Sequence, residues 1–192
     1  STRKTCGMRG LRVWRGEGLE KMAAVIVEPL QRALRPQPGF LEGLRAVTQT
    51  HGILLIFDEV QSFRLASGGA QEIYNVTPDL TAFGKVIGGG MPVGAWGGRN
   101  DIMNFFDPTT NPIITHSGTF NANPKTMVAG EVTMNHLTTE VYQRMNDLGE
   151  MLRQKLRAVF AELELPTQVT GVGSLFGMHF TSEEVTNYRS MT

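Results

Sequence analysis

The stretch "ILLIFDEV", Ile53 to Val60, decides how this chain is read. Five apolar residues run without a break into Asp58 and Glu59. A short continuous apolar run of this kind is a buried strand, and open α/β sheets place their ligands beyond the carboxyl ends of such strands. Upstream, "AAVIV" (23–27) is a second β-branched run, stopped by Glu28-Pro29. Between the two, Leu41, Leu44 and Val47 recur at helical spacing from Phe40 to His51, and Gly52 is placed to end that helix. Strand, helix, strand is a βαβ unit, which predicts parallel pairing and a right-handed crossover. "DLTAF" (79–83) reads as a third strand and "VGAWGG" (93–98) as a fourth, its glycines suggesting close packing. From Lys125 to about Leu163, Val141, Met145, Leu148, Leu152, Leu156 and Val159 fall on one stripe of a long packing helix, with Met145 and Met151 as core fillers. After Pro166, "QVTGVGSLFGMHF" reads as a strand of a smaller α/β unit. The fold class is therefore α/β. A mostly parallel sheet domain over 23–125 is followed by a connecting helix and the start of a smaller C-terminal domain over 126–192, with 1–22 an atypical or disordered N-terminal stretch.

The chain has 192 residues, 41% hydrophobic and 19% charged, the composition of a globular domain. Eighteen basic residues balance eighteen acidic ones, so no whole-chain charge argues for nucleic acid or an anionic membrane. The exception is the opening "STRKTCGMRGLRVWRG", basic but without the aromatic interleaving or apolar face of a binding arm. No apolar run reaches the length of a membrane span. A single cysteine, Cys6, excludes an internal disulfide and a cysteine-based metal cluster and fits a reducing, cytoplasmic setting. The glycines cluster at 88–90, 94, 97–98 and 171–177, which marks tight turns or close approach to a ligand.

Two chemistries use a strand that ends in carboxylates. An ATPase brings an Asp to Mg²⁺ and a Glu to water, whereas a pyridoxal-phosphate enzyme uses one strand-end Asp to keep the cofactor's ring nitrogen protonated. The ATPase needs a G-x-x-x-x-G-K-[ST] phosphate loop, which the sequence lacks: in "FGKVIGGG" the glycines follow the lysine. That leaves only a Walker-B-like strand as a remote alternative. Lys85 lies between a strand and a triple-glycine turn, an unusual place for a solvent-seeking side chain. A lysine that forms an imine needs partial desolvation and a cofactor approached closely by backbone, and the flanking glycines are expected to supply that approach. Asp58 ends a neighbouring strand and is able to pair with a protonated pyridine nitrogen. His116 beside Ser117 hints at acyl transfer, but no G-x-S-x-G elbow accompanies it. His51, His136 and His179 are isolated in sequence and read as structural or exposed, not as metal ligands.

"VIVEP", "FLEGLR", "LLIFDEV", "GGAQEIYNVTPDLTAFGKVIGGGMPVGAWGGRNDIM" and "HSGTFNANPKTMVAG" together resemble the class III, fold-type I pyridoxal-phosphate-dependent aminotransferases. Within that class they are similar to glutamate-1-semialdehyde 2,1-aminomutases and β-amino-acid aminotransferases, from about Ala23 to Tyr188. The resemblance implies pyridoxal 5′-phosphate as cofactor, small amino and oxo acids as substrates, and a homodimer. It implies Lys85 as the Schiff-base lysine and general base, Asp58 on the pyridine nitrogen, and Val60 against one ring face. Thr119 and the backbone N–H of the Gly118-Thr119 turn would bind the phosphate of the neighbouring subunit's cofactor. Glu28 matches the strand-end Glu near the cofactor.

The chain departs from the family in three places. "VEPLQRALRPQPGF" looks shorter than the family's loop, leaving Gln31 as a candidate for the cofactor's 3′-oxygen, and "DEVQSFR" looks one residue short of the aminomutase pattern. The opening residues do not resemble the family, and the chain ends near "VTNYRSMT". A fragment is the expectation, with the phosphate loop, a ring-stacking aromatic and the rest of the small domain lying elsewhere. The alternative function is accordingly that of a catalytically inactive fragment or structural homologue.

Overall fold

The computed structural model describes residues 18–110, 114–187 and 190; residues 1–17, most of the stretch set apart at the amino end, lie outside them. Strands β1 (Ala24–Val27), β2 (Leu54–Asp58), β3 (Leu80–Gly84) and β4 (Gly94–Gly98) form one sheet in sequence order. β1 pairs parallel to β2 and β2 parallel to β3, while β4 runs antiparallel to β3. The reversal follows from chain length. Only residues 85–93 join β3 to β4, too few for the dozen or so residues that a parallel crossover needs.

Helix α1 (Phe40–Thr50) makes the first crossover. Phe40, Leu41 and Leu44 pack with Leu55 and Phe57 of β2 and with Val76 in the main core. Thr48, not the expected Val47, completes the buried stripe, and its hydroxyl is satisfied by the Arg45 carbonyl at 3.0 Å. Gly52, at φ 65, stands just past the helix end and supplies the left-handed residue that closes it. The second crossover contains a 3-10 turn (Ser62–Leu65) and the short helix α2 (Gly69–Tyr74).

Opposite the carboxyl edge, Asp79 locks three elements together. It is 5% exposed and accepts from the Leu55 N–H at 2.7 Å, Arg45 Nη1 at 2.8 Å and Arg99 Nη1 at 2.9 Å. Burial alone would push its carboxyl up, but the Leu55 N–H and the two guanidiniums together hold it below the usual carboxylate range. Its contribution to stability is thus complete above the unfolded value of ~3.9 and is lost as pH falls through the folded value. Asp79→Ala strands a largely buried guanidinium and an N–H, and is expected to cost on the order of 3 kcal/mol. Urea unfolding at pH 7 and pH 3 checks both points, since the variant and parent should differ much less at the lower pH.

Two corrections arise beyond the sheet. After the short helix α3 (Asn100–Met103), the expected single long helix is two, α4 (Pro124–His136) and α5 (Thr139–Glu162). Leu137 leaves helical geometry, and Thr138 caps α5 by accepting from the Val141 N–H at 3.4 Å. The expected C-terminal strand is a hairpin, β5 (Gln168–Val172) against β6 (Leu175–His179), because Gly173-Ser174 turns the chain, Gly173 at φ 53.

The stripe of α5 that reads as apolar is not its buried face. Leu148, Met151, Leu152 and Val159 are exposed, whereas Tyr142, Gly149 and Arg153 are buried. The hairpin explains the choice. Gly149 lets the helix backbone meet Gly173, Arg153 donates to the Gly173 and Leu175 carbonyls, and Asn146 bonds both Ser174 N–H and the Leu65 carbonyl at 2.9 Å. Buried groups that complete hydrogen bonds have displaced apolar contact as the packing rule here. Among the described residues no helix is long and apolar enough to cross a membrane.

Candidate active site

The two carboxylates at the end of β2 part company. Side chains alternate along a strand, so Asp58 shares the half-open face with Leu54 and Ile56, while Glu59 follows Leu55 and Phe57 to the buried face. Asp58 is half-buried, and the one hydrogen bond to its carboxylate among the described residues is from the Val60 N–H to Oδ1 at 3.1 Å. Oδ2 is left to accept from something else. Glu59 is 0% exposed and surrounded by donors: Ser62 Oγ at 3.0 Å, Ala70 N–H at 2.5 Å, and Gln71 through N–H at 3.4 Å and Nε2 at 3.0 Å. A glutamate so enclosed by donors leaves no carboxylate oxygen open to a water of the kind an ATPase activates.

Lys85 begins the turn that follows β3. Its φ is 51, a left-handed conformation that costs a non-glycine residue about 1–2 kcal/mol, and strain of this kind concentrates at functional sites. Among the described residues its amine has no hydrogen bond or ion pair. The desolvation expected of an imine lysine is not supplied by the described residues, among which Lys85 is exposed.

The glycines after Lys85 also do other work than expected. A Cβ on Gly88 would strike Val93, one on Gly89 the Ala129 carbonyl, and one on Gly130 the Ile87 carbonyl. Gly89 on the turn and Gly130 on α4 therefore let the lysine turn lie backbone to backbone on that helix, while Gly88 makes room for Val93. Gly89 is also at φ 58. Gly89→Ala should cost more than the ~1–2 kcal/mol of the left-handed conformation alone, since the turn must lift from the helix. A drop in melting temperature larger than that of Gly90→Ala, where φ is 91 but the space is open, would separate the clash from the strain.

The other expected residues fall into two groups. Val60 packs over Gly84, where an added Cβ would lie 3.4 Å from a Val60 methyl, so it stands beside the lysine turn. Glu28 is half-buried and one position past Val27, the partner of Phe57, which puts it in line with Asp58. That row continues through Ala82 to Trp96. Glu28, Asp58, Val60 and Lys85 thus share the carboxyl edge of the parallel strands. Gly118 and Thr119 do not join them: both are exposed, and among the described residues neither hydrogen-bonds any of the four. The turn is held by an Asn121 N–H bond to the Gly118 carbonyl at 3.0 Å. Gln31 pairs with Leu34 in a bridge and is exposed. Arg32 and Ala33, at φ 51 and 60, turn the chain so that Arg32, Gln61 and His179 line a cleft of about 350 Å³ against β6. Sequence reasoning missed Gln61 and Trp96. The indole lies edge-on to Phe106 at 4.6 Å and to His116 at 6.0 Å, so His116 anchors the segment before Gly118 rather than activating Ser117. A ring contact between residues twenty positions apart has no sequence signal.

The carboxyl edge of the parallel strands thus carries an aspartate with one carboxylate oxygen unbonded and a strained lysine with no side-chain partner, both among the described residues. The sequence profile described as Aminotransferase class-III matches residues 2–192, including the opening stretch. The chain belongs to this family. It is 46% identical over 177 residues to glutamate-1-semialdehyde 2,1-aminomutase 2 of Lachnoclostridium phytofermentans, which covers 89% of the chain and 41% of that protein. The fold matches that of a β-phenylalanine aminotransferase from Variovorax paradoxus, with a TM-score of 0.88 at 41% identity over 95% of the chain and 43% of that structure. It also matches a transaminase with PLP bound, with a TM-score of 0.82 at 35% identity over 90% of the chain and 41% of that structure. The chain therefore spans about two-fifths of the length of the proteins it matches.

Proposed function

We propose that the full-length protein moves an amino group between small amino and oxo acids with pyridoxal 5′-phosphate, acting in the cytoplasm as a homodimer. The observation that carries this is the pairing of Asp58 and Lys85 at one sheet edge, each with an atom left to bond a ligand. The residues present fit the cofactor: the free Oδ2 of Asp58 suits a protonated ring nitrogen, and Lys85 Nζ suits an aldehyde carbon.

When bound, pyridoxal phosphate supplies an electrophilic carbon for amines and a ring that withdraws electrons from the substrate. Lys85 would hold that carbon through its Nζ, and the same Nζ, when free, would move the proton at the amino-bearing carbon of the substrate. Asp58 would keep the ring nitrogen protonated by pairing its carboxylate with it. Val60 would pack against the ring, and Glu28 would stand next in the row. Gly118 and Thr119, both exposed, would serve the phosphate of the partner's site.

Two substrate readings share this half of the site: internal rearrangement of glutamate 1-semialdehyde, and transfer from a β-amino acid to a 2-oxo acid. The sequence similarity to an aminomutase and the fold similarity to a β-phenylalanine enzyme support one each. Borohydride treatment of the cofactor-loaded, full-length protein should fix the label to the peptide containing Lys85; a label on another lysine overturns the reading. A panel of amino donors on that protein separates the two substrates.

The dimer has its own test. Subunits carrying Lys85→Ala or Thr119→Ala should each be weak, and mixing them should restore about a quarter of the sites, because a heterodimer collects both lesions in one site and leaves the other whole. No recovery despite subunit exchange would place Thr119 in its own subunit's site.

A further inference from the structure

The "GGAQ" segment (68–71) has no part in the chemistry above, yet it forms the cradle that holds Glu59. Gly69 is at φ 67, and a Cβ there would run into the Glu59 carboxylate and lie 2.9 Å from the Phe63 ring. Only glycine leaves room for the buried carboxylate to reach the Ala70 and Gln71 N–H groups. Gln71 does more than close the cradle. Its Nε2 donates both to Glu59 Oε1 and to Thr81 Oγ1, each at 3.0 Å, so one amide spans from the end of β2 to β3.

The position of this bridge relative to Asp58 and Lys85 suggests its purpose. Glu59 follows Asp58 directly and points to the opposite face, so a rotation of the backbone there moves both carboxylates. The Glu59 N–H also donates to the Ala82 carbonyl at 2.9 Å, the rung beyond the Asp58–Ala82 pair. Thr81 precedes Ala82 and lies four residues before Lys85. Phe63, just past the strand, rests edge-on against Phe83 at 4.9 Å and tightens the same junction.

We propose that Glu59 and Gln71 are positioning residues, a clamp on the buried face of the sheet that sets where Asp58 and Lys85 stand on the open edge. This rests on the reading of Asp58 and Lys85 given above. The clamp touches no substrate. It acts by holding β2 and β3 in one register at the point where both strands deliver their functional side chains, and misplacement of reacting groups by about 1 Å costs on the order of 10²-fold in rate.

The test uses the full-length, cofactor-loaded protein and three variants: Glu59→Gln, Gln71→Leu and Thr81→Val, the last of which removes only the far anchor of the bridge without changing volume. The unsubstituted protein is first treated with borohydride. If no label is fixed at Lys85, the site reading falls and the clamp with it. With the label in place, Gln71→Leu should lower kcat about 10- to 100-fold with little change in KM. It should also move the pH midpoint of the cofactor's visible absorbance by about half a unit or more, because the Asp58–ring and Lys85 geometry changes. Thr81→Val should shift the midpoint in the same direction by less, and it keeps the test intact if Glu59→Gln or Gln71→Leu fails to fold. A midpoint and kcat equal to the parent's in the folded variants, whatever their melting temperatures, would overturn the clamp and leave Glu59 a purely structural acceptor.

Discussion

Lys85→Ala in the full-length protein should abolish measurable amino-group transfer, a fall of about 10⁴-fold or more, while the protein still folds and admits the cofactor. General-base catalysis alone is worth roughly 10²–10⁴-fold, and this substitution also removes the covalent tether, so both contributions disappear together. The fold should survive because Lys85 is exposed and its side chain makes no hydrogen bond or ion pair among the described residues. Stability is expected to hold, since alanine keeps the Cβ and with it the strain of φ 51. The measurement is single-turnover transfer with the cofactor supplied in excess, together with the loss of the borohydride-fixed label. A variant retaining more than about a hundredth of the parent rate would show that another group moves the proton.

Asp58→Asn should lower transfer by about 10²-fold or more while leaving unfolding unchanged. The amide keeps the shape of the side chain and can still accept from the Val60 N–H through its oxygen. It carries no charge, so the ring nitrogen loses its anionic partner. An ion-paired hydrogen bond of this kind is worth about 3 kcal/mol, which converts at 1.36 kcal/mol per decade to about two decades in rate. Asp58→Glu is the informative companion: it keeps the charge but moves it about a bond length, so it should retain more activity than the amide. Equal loss in both would mean that position and not charge is what matters at 58. Near-parent turnover in the Asn variant would remove Asp58 from the site.

These expectations rest on a site that is partly legible in the sequence. Asp58 and Lys85 can be nominated because each lies at the end of, or just beyond, a recognisable apolar run, and the ends of adjacent parallel strands meet at one edge; Val60 and Glu28 come only from the resemblance to the family. The role of the glycines is not legible. Clustered glycines signal close approach but not to what, and Gly88 and Gly89 turn out to meet Val93 and α4. The same holds for "DE" at the end of β2: alternation along the strand puts the two carboxylates on opposite faces, but only the packed cradle of Ser62, Ala70 and Gln71 shows that Glu59 is wholly bonded.

By itself the sequence determined the class of fold, the places of the first four strands along the chain, the parallel pairing of the first two, the extent of α1 and the edge on which the proposed site residues stand. All of these follow from local apolar period, from turn residues and from the length of the connections, which act over a few residues at a time. Tertiary structure alone decided the rest. The break at Leu137 depended on a cap winning over a continuous helical pattern, and the hairpin at Gly173 depended on a single left-handed turn inside an otherwise continuous strand pattern. The buried side of α5 was set by Gly149 and Arg153 meeting the hairpin's backbone, not by the apolar stripe: the Gly173 and Leu175 carbonyls take their donor from Arg153, while Leu148 and Leu152 stay exposed. Contacts between residues far apart in the chain carry no periodic trace in it, and those contacts are what fix Glu59, Trp96 and Arg153 in place.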